Sequence, residues 1–447
     1  MLGAGGNHHP GHPAGYRHVV SRRQLLALVL LALTARVLYN VIVLADYTPA
    51  SDAHHYHDIA RNLADGHGFA STFPFSDAEP QATAFRPPLF PAVLGAFYAI
   101  FGVHVGVAQA LNVTLGIGVV VLASLVTCRM AGVGAALAVG AVVAIYPPLL
   151  ANDGPPLAEP LSLCLLLLGV LLLLQDRPFA AGAVTGLQVL AKPSAQGLVL
   201  VLAAWVVWHW GWRRALTFLA PAVIVIVPWV VRNELVMGSP VLVTSNGFNL
   251  AALYSPQSKE AGAWLDPVND SRFEEVRRDA TAAEDEVALD ETLRGIALDE
   301  LRAHPFDLIE RSARNAVRSL DLFPGENDGA ERLDGRSVPF RYATLWLTWM
   351  VFGAGVAGLV LARRAPATRL LVLCTMYFTV ISIPFSPMAP RLRAPLDLVC
   401  CVGAGVVLHR LTSRSVEEEQ GDAEIIDLTD AAMARATDQL PQHAAAR

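Results

Sequence analysis

The chain has 447 residues, 54% hydrophobic and only 16% charged. A soluble domain carries about 25% charged residues, so two or three soluble domains, a disordered chain and a disulfide-rich secreted scaffold are all excluded. The 33 Lys+Arg against 39 Asp+Glu give a net charge of -6, which leaves no basic footprint for nucleic acid. What remains is an all-α polytopic membrane protein.

A crossing needs about 20 apolar residues. In chain order the runs that qualify or nearly qualify are Gln24–Ala45, Val105–Thr127, Val133–Leu150, Leu157–Gln175, Phe179–Ala191, Gly197–Trp210, Arg213–Val231, Tyr342–Leu361, Ala367–Ser386 and Leu396–Leu411. Pro88–Phe101 is an eleventh, short apolar helix. Basic residues in short loops mark the cytoplasmic side. With Arg17, Arg22 and Arg23 inside, ten crossings also put Arg129, Arg177, Arg213, Arg214, Arg363, Arg364, Arg369, Arg410 and Arg414 inside. This holds if 88–101 does not fully cross. The expected organisation is a cytoplasmic tail at 1–23, a transmembrane domain at 24–411 and an acidic, solvated cytoplasmic tail at 412–447. Residues 46–87 form a first outer loop and 232–341 a long outer loop. Within the latter, Leu289, Leu293, Ile296, Leu301, Phe306 and Ile309 make an apolar stripe expected to lie along the membrane surface. The five cysteines fall in or beside apolar runs and read as core thiols. Gly182, Gly186 and Gly134 read as points of close helix packing.

The charged residues outside the membrane are the candidates for chemistry. Asp52 opens a helical segment, with Tyr56 four residues on and therefore on the same face. A carboxylate there serves as a helix cap, as a base, or as both. His54, His55 and His57 follow, but only 54 and 57 share a face, which is weak spacing for a metal. Glu159 is a second acid near the outer start of a span. Lys192, before Pro193, sits where Phe179–Trp210 must fold back as two short helices, and an ionisable group at that depth is a functional candidate. Arg86, Arg232, Arg391 and Arg393 lie outside against the positive-inside trend, and arginine suits bidentate recognition of phosphate or carboxylate. The bland alternative for these arginines is anchoring to lipid head groups. No nucleotide-binding GxxxxGK[ST] loop is present.

Several short motifs occur in a telling order: Ser51-Asp52-Ala53-His54-His55-Tyr56, Ala60-Arg61-Asn62-Leu63-Ala64-Asp65-Gly66-His67-Gly68-Phe69, Arg86-Pro87-Pro88, Ala191-Lys192-Pro193, Pro228-Trp229 with Arg232-Asn233, Ser245-Asn246-Gly247-Phe248-Asn249-Leu250, Ala303-His304-Pro305, and Arg391-Leu392-Arg393-Ala394-Pro395. Together, over about residues 25–410, they resemble the bacterial family 39 relatives of protein O-mannosyltransferases, membrane glycosyltransferases of the GT-C superfamily close to the lipid A aminoarabinose transferases. The resemblance implies a GT-C fold of about 10–11 transmembrane helices, with outer loops carrying amphipathic helices. It also implies inverting transfer of a sugar from a polyprenyl-phosphate donor, at the extracytoplasmic face of the cell membrane, to a glycan, lipid or protein acceptor.

On that resemblance Asp52 and Glu159 match the two loop acids expected to be catalytic. Arg86, Lys192, Arg232, Arg391 and Arg393 are expected to hold the donor phosphate, and Tyr56, His55, Asn246 and Asn249 to touch acceptor or sugar. Lys192 stands where the family often has arginine, which keeps the charge but loses the fork. A divalent metal is left open. The competing reading is a transporter or flippase of a lipid-linked or anionic substrate, which calls for internal repeats and helices interrupted at the midplane.

Overall fold

The computed structural model describes residues 20–75, 79–385 and 390–413. Residues 1–19 and 414–447, most of the two expected cytoplasmic tails, lie outside the described residues. Apart from one two-stranded hairpin, the regular structure described is helical. Helix α1 (Arg22–Val43) starts at Ser21, whose side chain accepts from the Gln24 amide while the Gln24 side chain accepts from the Ser21 amide. This capping box satisfies two donors that the first turn cannot.

Helices α2 (Ser51–Ala64) and α3 (Leu89–Phe101) follow, separated by the antiparallel hairpin Ala70–Ser71 and Gln81–Ala82. At 13 residues α3 rises about 20 Å, short of the roughly 30 Å hydrocarbon core. It lies against α2, whose Ala60 and Leu63 crowd Gly95. The 41-residue helix α4 (Val105–Ile145) breaks at Gly132, where φ 83° and ψ -178° are open only to glycine. Its two arms correspond to the two spans expected there. Next come the short, wholly buried α5 (Pro147–Asp153), then α6 (Glu159–Leu174), α7 (Pro178–Ala191) and α8 (Gln196–Trp210). The chain breaks between α7 and α8 at Lys192 and Pro193, as the length of the run demanded. Helix α9 (Trp212–Met237) ends on Gly238 in the left-handed region at φ 69°.

The long loop holds α10 (Asn246–Tyr254), α11 (Pro256–Ala261), α12 (Glu274–Ala282), α13 (Glu286–Ala303), α14 (Phe306–Ser319) and α15 (Asp328–Leu333). The chain then returns through α16 (Val338–Leu361), α17 (Pro366–Phe385), a 3₁₀ turn at Pro390–Arg393 and a last helix, α18, over 394–413. Among the described residues six stretches are long and apolar enough to cross a membrane: α1, α4, α9, α16, α17 and Pro390–Ser413. Close approach in the bundle rests on glycine. A Cβ at Gly182 or Gly186 would run into the backbone of Phe218 or Ala222 on α9, and one at Gly358 into Gly403 on α18.

The apolar stripe of the long loop is not continuous. His304 and Pro305 end α13, so Leu289 and Leu293 are buried in a small core with Leu253, Tyr254 and Phe273, whereas Phe306 and Ile309 on α14 are 78% and 65% exposed. The stripe is carried by two of the expected amphipathic helices, with different apolar partners, because proline cannot continue the ladder.

Candidate active site

Five separate segments bring charge to one place. Asp52 sits in the first turn of α2, where the helix dipole favours a carboxylate. Glu159 opens α6, Lys192 occupies the extended link between α7 and α8, and Arg391 lies in the 3₁₀ turn before α18. Arg86 comes from the end of the first loop.

The Asp52 carboxylate is gripped from both sides: Arg86 Nη2 donates to Oδ1 and Arg391 Nη2 to Oδ2. Arg391 also reaches Asp334 Oδ2 at 3.0 Å and Glu159 Oε1 at 3.9 Å. Lys192 Nζ lies 3.4 Å from the same Glu159 oxygen. Arg86 Nη2 donates to His55 Nδ1 at 2.8 Å, so neutral His55 carries its proton on Nε2. The Arg86 guanidinium lies 5.7 Å from the Tyr56 ring centre and 4.9 Å from that of Phe85. Side-chain exposure of 21% at Asp52, 13% at Arg86 and 11% at Arg391 leaves the group accessible from solvent.

The electrostatics follow from this packing. Burial alone would raise Asp52, but Arg86 and Arg391 overcome it and hold the carboxyl well below the usual range. Burial and the Arg86 charge push His55 down to about 3. Burial raises Tyr56 above its ordinary value. Asp334 is pushed up to about 7 by burial, with Asp52 and Glu159 adding repulsion that Arg391 does not fully offset. Near neutral pH the cluster therefore alternates between three cations facing three carboxylates and three facing two. Arg86 Nε, Arg391 Nε and Asp334 Oδ2 are buried with hydrogen-bonding capacity unused. Fixed cations that are only partly covered make a surface suited to an anion.

The other expected residues are placed elsewhere. Arg393 is buried in its own network, donating to Asp321 Oδ2 and the Ser319 carbonyl at 2.8 Å each and to Asp397 at 3.2 Å. Arg232 donates to the carbonyls of Thr83 at 2.8 Å and Phe69 at 3.1 Å, tying the first loop to α9. Asn246 and Asn249 donate to the Val243 and Ser245 carbonyls of their own segment. None of these contacts reaches Asp52.

As placed, the site residues do not suit a divalent metal, since the carboxylates of Asp52 and Glu159 already face guanidinium or ammonium groups. Among the described residues Glu300, His304 and Asp307 gather ligand atoms within 4.8 Å, yet Lys259 Nζ lies 3.0 Å from both Glu300 and Asp307. That ammonium fills the role a cation would have.

No protein-family model matches the chain, and no curated protein does. Solved structures do match. The Archaeoglobus fulgidus oligosaccharyltransferase in complex with zinc and sulfate superimposes with a TM-score of 0.53 at 13% identity, covering 91% of this chain and 51% of that one. The same organism's oligosaccharyltransferase AglB, with an inhibitory peptide and a dolichol phosphate, gives 0.52 at 14% identity over 89% and 52%. The chain has the GT-C fold. It spans about half the length of these oligosaccharyltransferases. ArnT from Cupriavidus metallidurans, bound to undecaprenyl phosphate, is also similar, with a TM-score of 0.41 at 16% identity, covering 88% of this chain and 79% of that one.

Two features of the chain escaped the sequence reading. Asp334 completes the cluster; its signal was an acid-glycine pair just ahead of a span, with Gly335 at φ 69° packed on the Tyr47 ring. Arg36, in the middle of α1, is 1% exposed and its Nε donates to Asp153 Oδ2 at 2.7 Å. A charge inside the first apolar run was the visible sign of that buried pair.

Proposed function

We propose that the chain is an inverting glycosyltransferase that moves a sugar from a polyprenyl-phosphate donor to an acceptor on the extracytoplasmic side of the cell membrane. The observation that carries this reading is the Asp52 carboxylate held between Arg86 and Arg391, beside Glu159 and Lys192. The GT-C fold supports it, and a structure of similar fold holds a dolichol phosphate, a lipid phosphate of the kind a membrane enzyme meets from within the bilayer.

The acceptor hydroxyl attacks the anomeric carbon as the bond from that carbon to the phosphate oxygen breaks. One displacement inverts the centre and needs no enzyme nucleophile. Two things are then required: a base for the hydroxyl proton and cations for the departing polyprenyl phosphate. A carboxylate clamped by two arginines is a poor base. The donor phosphate corrects this by competing for Arg86 and Arg391, which leaves Asp52 less neutralised and better able to take the proton. Lys192 and Arg391 stabilise the charge that develops on the leaving phosphate, usually the largest part of such catalysis. Tyr56 and His55, beside Arg86, line the approach of sugar or acceptor. Arg232, Arg393, Asn246 and Asn249 take supporting positions in this reading. Nothing in the helix breaks favours transport, since the interrupted run at Lys192 feeds this same cluster.

The test is incubation of membranes carrying the protein with a panel of radiolabelled polyprenyl-phosphate sugars, alongside Asp52→Asn. One donor should lose label to acceptor with the wild type only. Undiminished transfer by folded Asp52→Asn would remove Asp52 from the mechanism, and no transfer from any donor by the wild type would overturn the reading.

A further inference from the structure

A cavity of about 330 Å³ opens where the first loop meets the long loop. It is within the size range of ligand pockets, roughly 300–1,000 Å³. Its walls are the hairpin strands, the end of α9 at Val236 and Met237, and the turn from α12 into α13. The apolar lining includes Phe73, Phe75, Met237 and Val287; the polar lining includes Ser71, Glu79, Asp285 and Gln81, which donates to Glu284. Among the described residues lining it there is no lysine, arginine or histidine.

One part of the wall is anchored to the first loop. Buried Glu286 on α13 accepts from Thr83 Oγ1 at 2.7 Å, from the Ala84 amide at 2.9 Å and from Thr244 Oγ1. This ties the segment that follows the hairpin to the start of α13. The cavity also adjoins the charged cluster. The Phe73 ring lies 4.0 Å from the His55 ring, and His55 accepts from the Arg86 that holds Asp52.

We propose that this cavity seats the acceptor, and that the acceptor there is a carbohydrate ring without acidic groups. A sugar ring has an apolar C–H face and a rim of hydroxyls. Aromatic rings meet the first, and carboxylates, which accept strong charge-assisted hydrogen bonds, meet the second. The same carboxylates repel a phosphate or a uronic acid, and an amino sugar is attracted. The two halves of the reaction are then separated by charge, with the anionic donor at Arg86, Arg391 and Lys192 and a neutral or cationic glycan at Phe73 and Phe75. The placement of the acceptor rests on the glycosyltransferase reading; the sugar site does not need it.

The test uses the full chain in lipid nanodiscs and saturation-transfer NMR with methyl mannoside, methyl glucosaminide and methyl glucuronide. The mannoside and glucosaminide should bind, and the glucuronide at least tenfold more weakly. Phe75→Ala should weaken the first two at least tenfold, while Asp52→Asn leaves them unchanged. Glu79→Lys, on the exposed rim, should bring glucuronide binding up toward that of the mannoside, and carries the test if Phe75→Ala does not fold. No binding by any sugar, equal binding of the glucuronide, or indifference to both Phe75→Ala and Glu79→Lys overturns the inference. Transfer, or its absence, from the labelled polyprenyl-phosphate sugars to acceptor by wild-type membranes decides the glycosyltransferase reading independently.

Discussion

Two arginines only two residues apart, Arg391 and Arg393, enter networks of opposite character. Arg393 and its partners Asp321 and Asp397 are 3%, 0% and 0% exposed, and its bonds run to the ends of α14 and α18. Arg391 is partly open, and its Nε lacks an aligned partner although Asp334 Oδ2 is 3.0 Å away. With three residues per turn, positions two apart in the 3₁₀ turn point about 120° away from each other, so one side chain goes inward and the other to the loop face. Residue type and position in the sequence are nearly identical, so they do not separate the two. What separates them is whether the carboxylates around each have already used its hydrogen-bonding capacity. A filled network holds helices together, and a partly filled one has room for an anionic ligand.

The sharpest way to break this contrast is to remove one charge from each side. Asp52→Asn should cut transfer by about 10²–10⁴-fold, the usual contribution of a general base. It should destabilise the fold less than Arg393→Ala does, since the clamp keeps some contact with solvent. Arg393→Ala should do the reverse, costing about 3–5 kcal/mol because Asp321 and Asp397 are left buried with less compensation. Thermal unfolding in detergent measures both. If Arg393→Ala melts like the wild type while transfer alone collapses, Arg393 belongs to the donor site and the contrast is wrong.

A finer test keeps the charge and changes the shape. Arg391→Lys loses the fork that touches Asp52, Glu159 and Asp334 together, and should raise the donor KM about tenfold, roughly one charged hydrogen bond, with a smaller change in kcat. Lys192→Arg should leave KM within about twofold, because Glu159 at 3.4 Å asks only for a nearby cation. A larger loss with Lys192→Arg than with Arg391→Lys would show that the lysine, not the arginine fork, dominates donor binding.

Most of the architecture was legible because membrane insertion demands long apolar runs, and the expected runs fall on observed helices, including the breaks at Gly132 and Lys192. The convergence of Asp52, Arg86, Glu159, Lys192 and Arg391 could be anticipated as a shared face but not as contacts, since these groups lie up to 339 positions apart in sequence. Arg232 and Arg393 illustrate the limit: a basic residue near a proline-rich turn looks the same whether its partners are carbonyls, buried acids or a ligand. The Phe306–Ile309 surface was misread as continuous with Leu289 and Leu293 because the periodicity of an apolar stripe says nothing about which side a proline break sends it.

Asp334, invisible as a site residue in the sequence, gives the smallest and most specific prediction. Its carboxyl is raised to about 7 in the folded chain, whereas an unfolded aspartate titrates near 3.9. Between these values the folded state binds the extra proton, so this group makes stability fall as pH rises from about 4 to about 7, with a slope below the roughly 1.4 kcal/mol per pH unit of a whole proton. Asp52 works in the opposite sense, its contribution being lost only as pH falls below about 4. The two groups share Arg391, yet their windows do not overlap. Melting temperatures of the wild type and Asp334→Asn should therefore diverge between pH 5 and pH 7, where the unfolded carboxyl has lost its proton and the folded one still holds most of it, with the variant gaining relative stability as pH rises. Parallel curves over that range would mean that Asp334 is already ionised at pH 5, with Arg391 outweighing burial, and the cluster would then be charge-balanced rather than poised to attract a phosphate.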